Sequence, residues 1–171
     1  PLPEPTTNMS KSSFLDMVKK AKDYIRAGDV FQIVLSQRIS IPFHLPPINL
    51  YRSLRRLNPS PFLFYFDFDK MAVVGSSPEI LVRLRDQTVT IRPVAGTRKR
   101  GTTPEEDAFN AADLMADVKE RAEHLMLLDL GRNDVGRVSR PGTVRVKSNY
   151  EVEYYSHVMH IASQVEGSIR N

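Results

Sequence analysis

Phe62-Leu63-Phe64-Tyr65-Phe66-Asp67-Phe68-Asp69-Lys70-Met71-Ala72-Val73-Val74 is the stretch whose reading decides the fold class. Phenylalanine recurs at every second position from 62 to 68, and in an extended chain that spacing puts all four rings on one face. Asp69-Lys70 supplies a turn and residues 71–74 a returning strand. The pattern repeats just downstream. Residues 80–84 read as a strand, Asp86-Gln87 as a turn and residues 88–91 as a fourth strand. Short strands joined by tight turns predict an antiparallel meander.

Upstream of this core, Phe14, Met17, Val18, Ala21 and Ile25 recur at helical spacing, with Ser12 or Ser13 as N-cap and Gly28 as the stop. Residues 30–41 are rich in β-branched and apolar side chains and predict a strand. Pro42, Pro46 and Pro47 end it, and a short helix carries Leu50, Leu54 and Leu57. The Pro- and Thr-rich start, residues 1–11, reads as a linker. Downstream, residues 92–101 are polar and basic and read as a loop. Thr103-Pro104-Glu105-Glu106 is a helix start, with a capping hydroxyl, a proline at the first helical position and an acid three residues after the cap. Helical pattern runs to about residue 130, with a break near Asp117. Residues 143–152 and 157–165 read as two closing strands. Strands, then helices, then strands predict an α+β fold, mainly antiparallel.

The chain has 171 residues, enough for one sizeable core. Hydrophobic residues make up 41% and charged residues 26%, a globular composition. No apolar run is long enough to cross a bilayer, and the start lacks the pattern of a signal peptide, so the expected location is the cytoplasm. With no cysteine, thiol nucleophiles, disulfides and cysteine-bound metals are excluded. The net charge of +4 suits an anionic ligand without demanding one.

Glu120 and Glu123 lie three apart on a predicted helix and share a face. Such a pair suits Mg²⁺, or divides the work of metal ligand and general base. Taken alone, beside Lys119 and Arg121, such a pair is more often a solvated acidic face. Glu120-x-x-Glu123-His124 resembles the zinc motif His-x-x-Glu-His, but its first position is a glutamate. His157 and His160, at an odd offset in a strand, face opposite ways and do not share an ion. Gly96-Thr97, inside Arg92-Pro93-Val94-Ala95-Gly96-Thr97-Arg98, lets backbone N–H groups and a hydroxyl approach an anion, with arginines to steer it. Arg98-Lys99-Arg100 and Arg52, Arg55 and Arg56 also suggest a nucleic-acid footprint. However, 20 acidic residues nearly balance 24 basic ones and no nucleic-acid motif is present, so neither nucleic acid nor membrane is the expected partner.

Taken in order, these segments resemble the chorismate-utilising enzyme family. The resemblance is carried by residues 28–38 (GDVFQIVLSQR), Asn58-Pro59-Ser60-Pro61-Phe62, Gly75-Ser76-Ser77-Pro78-Glu79 and residues 92–101. It continues through Lys119-Glu120-Arg121-Ala122-Glu123-His124, Asp129, Arg132-Asn133-Asp134 and His157-Val158-Met159-His160. The resemblance implies two stacked, mainly antiparallel β-sheet layers with flanking helices, and chorismate and Mg²⁺ held between them. It implies Glu123 as Mg²⁺ ligand, Glu120 as a catalytic carboxylate, Gly96 and Thr97 as substrate contacts, and His160 beside the departing ring hydroxyl. Pro61, Phe62 and Leu63 match a segment that touches tryptophan in feedback-regulated members.

Two positions select within the family. Gln32 stands where water-using members, the isochorismate and salicylate synthases, carry a lysine base. Ala95 stands where aminodeoxychorismate synthases carry a lysine nucleophile. Both choices favour direct attack by ammonia, supplied by a glutamine amidotransferase, followed by loss of hydroxyl and of pyruvate to give anthranilate. The alternatives are an aminodeoxychorismate synthase and a non-catalytic ligand-binding relic of the same fold. The resemblance places a Gly-rich carboxylate-binding loop, a basic residue and a second metal glutamate after residue 171. Residues 12–171 are therefore expected to be an incomplete catalytic domain, inactive alone.

Overall fold

Ser10, not Ser12 or Ser13, caps the first helix. Its hydroxyl accepts the Ser13 N–H at 3.1 Å, and α1 spans Lys11–Ala27. Gly28 ends it as expected, at φ +83°, a left-handed conformation that glycine adopts without a Cβ clash. A computed structural model describes residues 3–170, so Pro1, Leu2 and Asn171, which fall in the expected linker and domain, lie outside the described residues. The chain divides into two compact units, residues 1–49 and 50–171.

In the first unit, part of the expected linker is folded. β1 (Thr6–Thr7) pairs antiparallel with β2 (Ile39–Ser40), and the Asn8 side chain accepts the Arg38 N–H at 2.8 Å. Lys11, the last residue of that linker, already belongs to α1. The strand expected over residues 30–41 is reduced to β2. Apolar, β-branched content makes a strand only where a neighbouring segment pairs with it, and residues 30–38 have no such ladder. Phe31 and Val34 stand 89% and 85% exposed, and Gln32 is exposed too.

The short helix α2 (Pro47–Leu57) forms as its leucine spacing predicts. The decisive stretch forms a hairpin of β3 (Phe62–Asp67) and β4 (Ala72–Ser77), paired in register from Phe62↔Ser77 to Asp67↔Ala72. Asp69, at φ +65°, makes the turn, and its N–H donates to the Asp67 carboxylate at 3.1 Å. Three of the four phenylalanines share a face by ring contact: the Phe64 and Phe66 rings stack at 5.3 Å, and Phe66 and Phe68 lie 6.3 Å apart.

A five-stranded sheet holds the rest. β5 (Arg83–Arg85) and β6 (Thr88–Ile91) are joined through Asp86 and Gln87, both at positive φ, which is hairpin turn chemistry. Residues 92–101, expected as a loop, contain β7 (Val94–Lys99). Its partner is β9 (Val158–Ser168), some 60 residues on, so no local pattern announces it. Its Arg98, and Arg100 just after it, pair with acids of the next helices and their joint. β8 (Arg145–Tyr154) pairs with the other edge of β9. Because β6 and β7 pair with different ends of β9, they line up end to end along one side of it. All strand pairs among the described residues are antiparallel, so the α+β class holds, with the strands divided among three sheets.

Two helices cover this sheet. α3 (Pro104–Ala116) starts at Thr103, whose hydroxyl accepts the Glu106 N–H, while the Glu106 carboxylate reaches back to the Thr102 N–H at 2.6 Å. The break expected near Asp117 is there: Asp117 ends α3 and caps α4 (Val118–Val138). α4 runs beyond residue 130, through Gly131 and Gly136. Packing onto the sheet outweighs the roughly 1 kcal/mol each helical glycine costs, with Gly131, Leu128 and Val135 buried. The core lies here, with Val89, Leu128, Val135 and Val165 at one end, Leu114, Met159 and Ile161 at the other, and Tyr150 packed against both.

Candidate active site

Gly96 occupies the irregularity of β7 where pairing with β9 shifts between Ala95 and Arg98. Its φ of +73° suits glycine, and space requires it too: a Cβ would stand 3.0 Å from Leu114 Cδ1 and 3.2 Å from Glu120 Oε2. The bulge turns the Gly96 carbonyl and the Thr97 hydroxyl to the His160 side chain on β9. His160 Nδ1 lies 2.8 Å from Gly96 O and 3.1 Å from Thr97 Oγ1. A carbonyl can only accept, so Nδ1 carries the proton and Nε2 is the ring's available nitrogen.

These residues open on a cleft of about 320 Å³, lined also by Pro78, Glu79, Val94, Ala95, Glu123 and Tyr155. Four of the residues singled out in the sequence, Gly96, Thr97, Glu123 and His160, therefore meet in one place. Glu120 does not line the cleft. It packs beneath Gly96, on the turn of α4 that Asp117 caps, with its N–H donating to Asp117 Oδ1 at 3.2 Å. Pro61, Phe62 and Leu63 lie at the start of the β3–β4 hairpin and are not among the cleft's lining residues.

Arginines were expected to steer an anion into this site, but Arg92, Arg98 and Arg100 are engaged elsewhere. Arg98 donates to Asp113 at 2.6 Å and to Asp117 at 2.9 Å, tying β7 to the α3–α4 joint. Arg100 pairs with Asp107 and donates to the Tyr155 carbonyl at 2.7 Å. Arg92 donates to Glu153. The bonds from Arg98 foremost hold the Asp117 carboxyl below the usual carboxylate range.

Two cleft residues escaped the sequence reading. Loss of hydration holds the Glu79 carboxyl above its usual range, against the lowering effect of Arg92, His160 and a hydrogen bond from the Val94 backbone. Glu79 stands in the 75–79 stretch that carries the resemblance, yet a lone acid after a proline signals nothing until β4 delivers it beside β7. Tyr155 donates its hydroxyl to Glu153 at 2.8 Å and sets its ring against His160, with centroids 5.4 Å apart at 64°. Burial, with the adjoining Glu153, pushes this phenol up to about 12.

The remaining histidines are not ligands of a shared ion. His124 is buried, its Nε2 2.7 Å from Ser163 Oγ and its ring edge-on to Tyr150, and burial lowers its pKa. His157 is exposed just before β9. Among the described residues no group of three or more His, Cys, Asp or Glu side chains gathers around one point. The cleft does offer hard oxygen donors, the Glu123 carboxylate and the Thr97 hydroxyl. That set fits Mg²⁺, which takes one or two protein carboxylates and completes its shell with water and substrate.

Residues 2–171 match a family described as chorismate binding enzyme. The chain belongs to this family. Its relatives within the chorismate-binding enzymes include anthranilate synthase component 1 of Cereibacter sphaeroides, 63% identical over 97% of this chain and 33% of that protein. The corresponding protein of Aquifex aeolicus is 58% identical over 96% of this chain and 33% of its own length. The crystal structure of anthranilate synthase component I from Streptococcus pneumoniae TIGR4 superposes with a TM-score of 0.89 at 42% identity, covering 99% of this chain and 37% of that one. The chain thus spans about a third of the length of the curated relatives it matches.

Proposed function

We propose that the complete polypeptide to which these residues belong converts chorismate to anthranilate, as part of tryptophan biosynthesis in the cytoplasm. The observation that carries the reading is the meeting of Gly96, Thr97, Glu123, Glu79 and His160 around one cleft in a sequence so similar to anthranilate synthase component 1. Ammonia, from a glutamine amidotransferase partner, forms a C–N bond to the ring and the ring hydroxyl departs as water. Loss of a ring proton and cleavage of the ether C–O bond to the three-carbon substituent then release pyruvate and leave the aromatic amine.

His160, with Nδ1–H committed to the Gly96 carbonyl, presents Nε2 to the departing hydroxyl and, when protonated, supplies its proton. Glu79, held above the usual carboxylate range beside His160, suits proton transfer in the cleft better than Glu120, which packs behind the bulge. Ala95 lines the cleft with a methyl group and offers no nucleophile, which favours direct attack by ammonia over a lysine adduct. Glu123 would hold Mg²⁺, which when bound polarises and places the substrate carboxylate. Pro61, Phe62 and Leu63 belong, in the same reading, to a tryptophan feedback site away from the cleft.

The test is to incubate the complete polypeptide with chorismate, Mg²⁺ and an ammonium salt and to identify products by mass spectrometry. Anthranilate and pyruvate are expected, and Glu123→Gln is expected to abolish both. Isochorismate, or aminodeoxychorismate as the end product, would overturn the reading.

A further inference from the structure

His160 is held by more than its bond to Gly96. Glu153 is its cross-strand neighbour in the β8–β9 register, so both side chains rise from one face of the sheet. Tyr155, two residues beyond Glu153, is anchored at three points. Its N–H donates to Val158 O at 2.8 Å, its carbonyl accepts from Arg100 at 2.7 Å and its hydroxyl donates to Glu153 Oε2. Glu153 is in turn fixed by Arg92. The phenol is thus committed to Glu153, and what Tyr155 presents to its neighbour is an immobilised ring, edge-on to the imidazole.

We propose that Tyr155, locked by the Arg92–Glu153 pair, is a positioning residue that fixes the plane of the His160 imidazole so that Nε2 addresses the reacting hydroxyl. The contacts to Gly96 O and Thr97 Oγ1 both fall on Nδ1, so they set which nitrogen carries the proton but leave the ring free to swing about that atom. The Tyr155 edge removes that freedom. The inference rests on the proposed role of His160 and adds a residue that supports it without itself exchanging a proton.

The test uses the complete polypeptide with Tyr155→Leu, Tyr155→Phe and Glu153→Gln. Losing the ring should lower kcat for anthranilate formation by about tenfold to a hundredfold, the scale of a misplaced catalytic group, with KM for chorismate within about twofold. Tyr155→Phe keeps the ring but loses its hydroxyl anchor, and Glu153→Gln keeps an acceptor for the phenol but loses the ion pair, so both should fall between wild type and Tyr155→Leu. In protein labelled at histidine, the His160 ring resonance should move in Tyr155→Leu and move less in Tyr155→Phe. Unchanged kcat in Tyr155→Leu would overturn the proposal. So would a parallel loss of kcat, substrate binding and thermal midpoint, which would mark the ring as a structural prop. If Tyr155→Leu does not fold, Glu153→Gln decides by the same split between kcat and KM. If the wild-type polypeptide forms no anthranilate, the functional reading has failed, and the His160 resonance alone then decides whether Tyr155 positions the ring.

Discussion

Gly96 concentrates two constraints in one atom's absence. An alanine there would hold a left-handed conformation that costs about 1–3 kcal/mol, and its methyl would press on Leu114 and the Glu120 carboxylate. Gly96→Ala is therefore expected to lower the denaturation midpoint and, by moving the carbonyl that orients His160, to lower activity more than stability alone explains. Chemical denaturation and turnover measured on the same sample of the complete polypeptide check both. Residues of this kind were legible in the sequence because their type carries their chemistry: a glycine beside a threonine, a carboxylate pair, a strand histidine. Glu79 and Tyr155 were not, because their roles depend on pairings that bring together positions up to 81 apart, from Glu79 to His160. Glu120 lies beside Gly96 without lining the cleft. Sharing a helix face with Glu123 does not guarantee sharing a cleft, since one turn of α4 lies under the bulge and the next opens beside it.

Among the elements, the joints are electrostatic. Asp117 closes α3 and opens α4, and Arg98 binds it from β7. One turn after its start, α3 is held in the same way by Arg100 on Asp107. The bonds from Arg100, and then the Gly101 N–H, hold the Asp107 carboxyl below its usual range. A carboxyl whose folded pKa is lowered stabilises the fold fully above its unfolded value, about 3.9, and loses that contribution as pH falls through the folded value. Asp107→Asn should therefore lower the thermal midpoint near neutral pH, with the gap to wild type closing below about pH 4. A gap independent of pH would show that Asp107 acts by shape alone. Elements with local punctuation were readable: the Asp69 and Asp86-Gln87 turns, the Gly28 stop and the Thr103 cap. β7 was misread because its evidence lies in β9, and residues 30–38 because a strand-like composition found no ladder.

At the scale of the whole molecule, many large apolar side chains stand at the described surface. Phe31, Val34, Leu57, Leu81 and Val118 are more than four-fifths exposed, and the ring face of the β3–β4 hairpin is also open, with Phe66 and Phe68 more than half exposed. Exposed apolar surface of this kind drives association. The 171-residue polypeptide produced alone is expected to bind a hydrophobic dye and to self-associate, and to form no anthranilate. A monodisperse monomer with a single sharp unfolding transition, seen by light scattering and calorimetry, would contradict this. The α+β class was legible from alternation and turns, whereas the division into three sheets was not, because it is decided by which distant strands find each other. β9 makes that decision. It pairs with β6, β7 and β8 and is the last strand described. During synthesis, the strands from residue 88 to residue 154 leave the ribosome with unsatisfied edges, and their central partner emerges after all of them. Pairing at such sequence separation is slow and exposed to misassembly, so the nascent polypeptide has a vulnerable interval that ends only when residues 158–168 clear the exit tunnel.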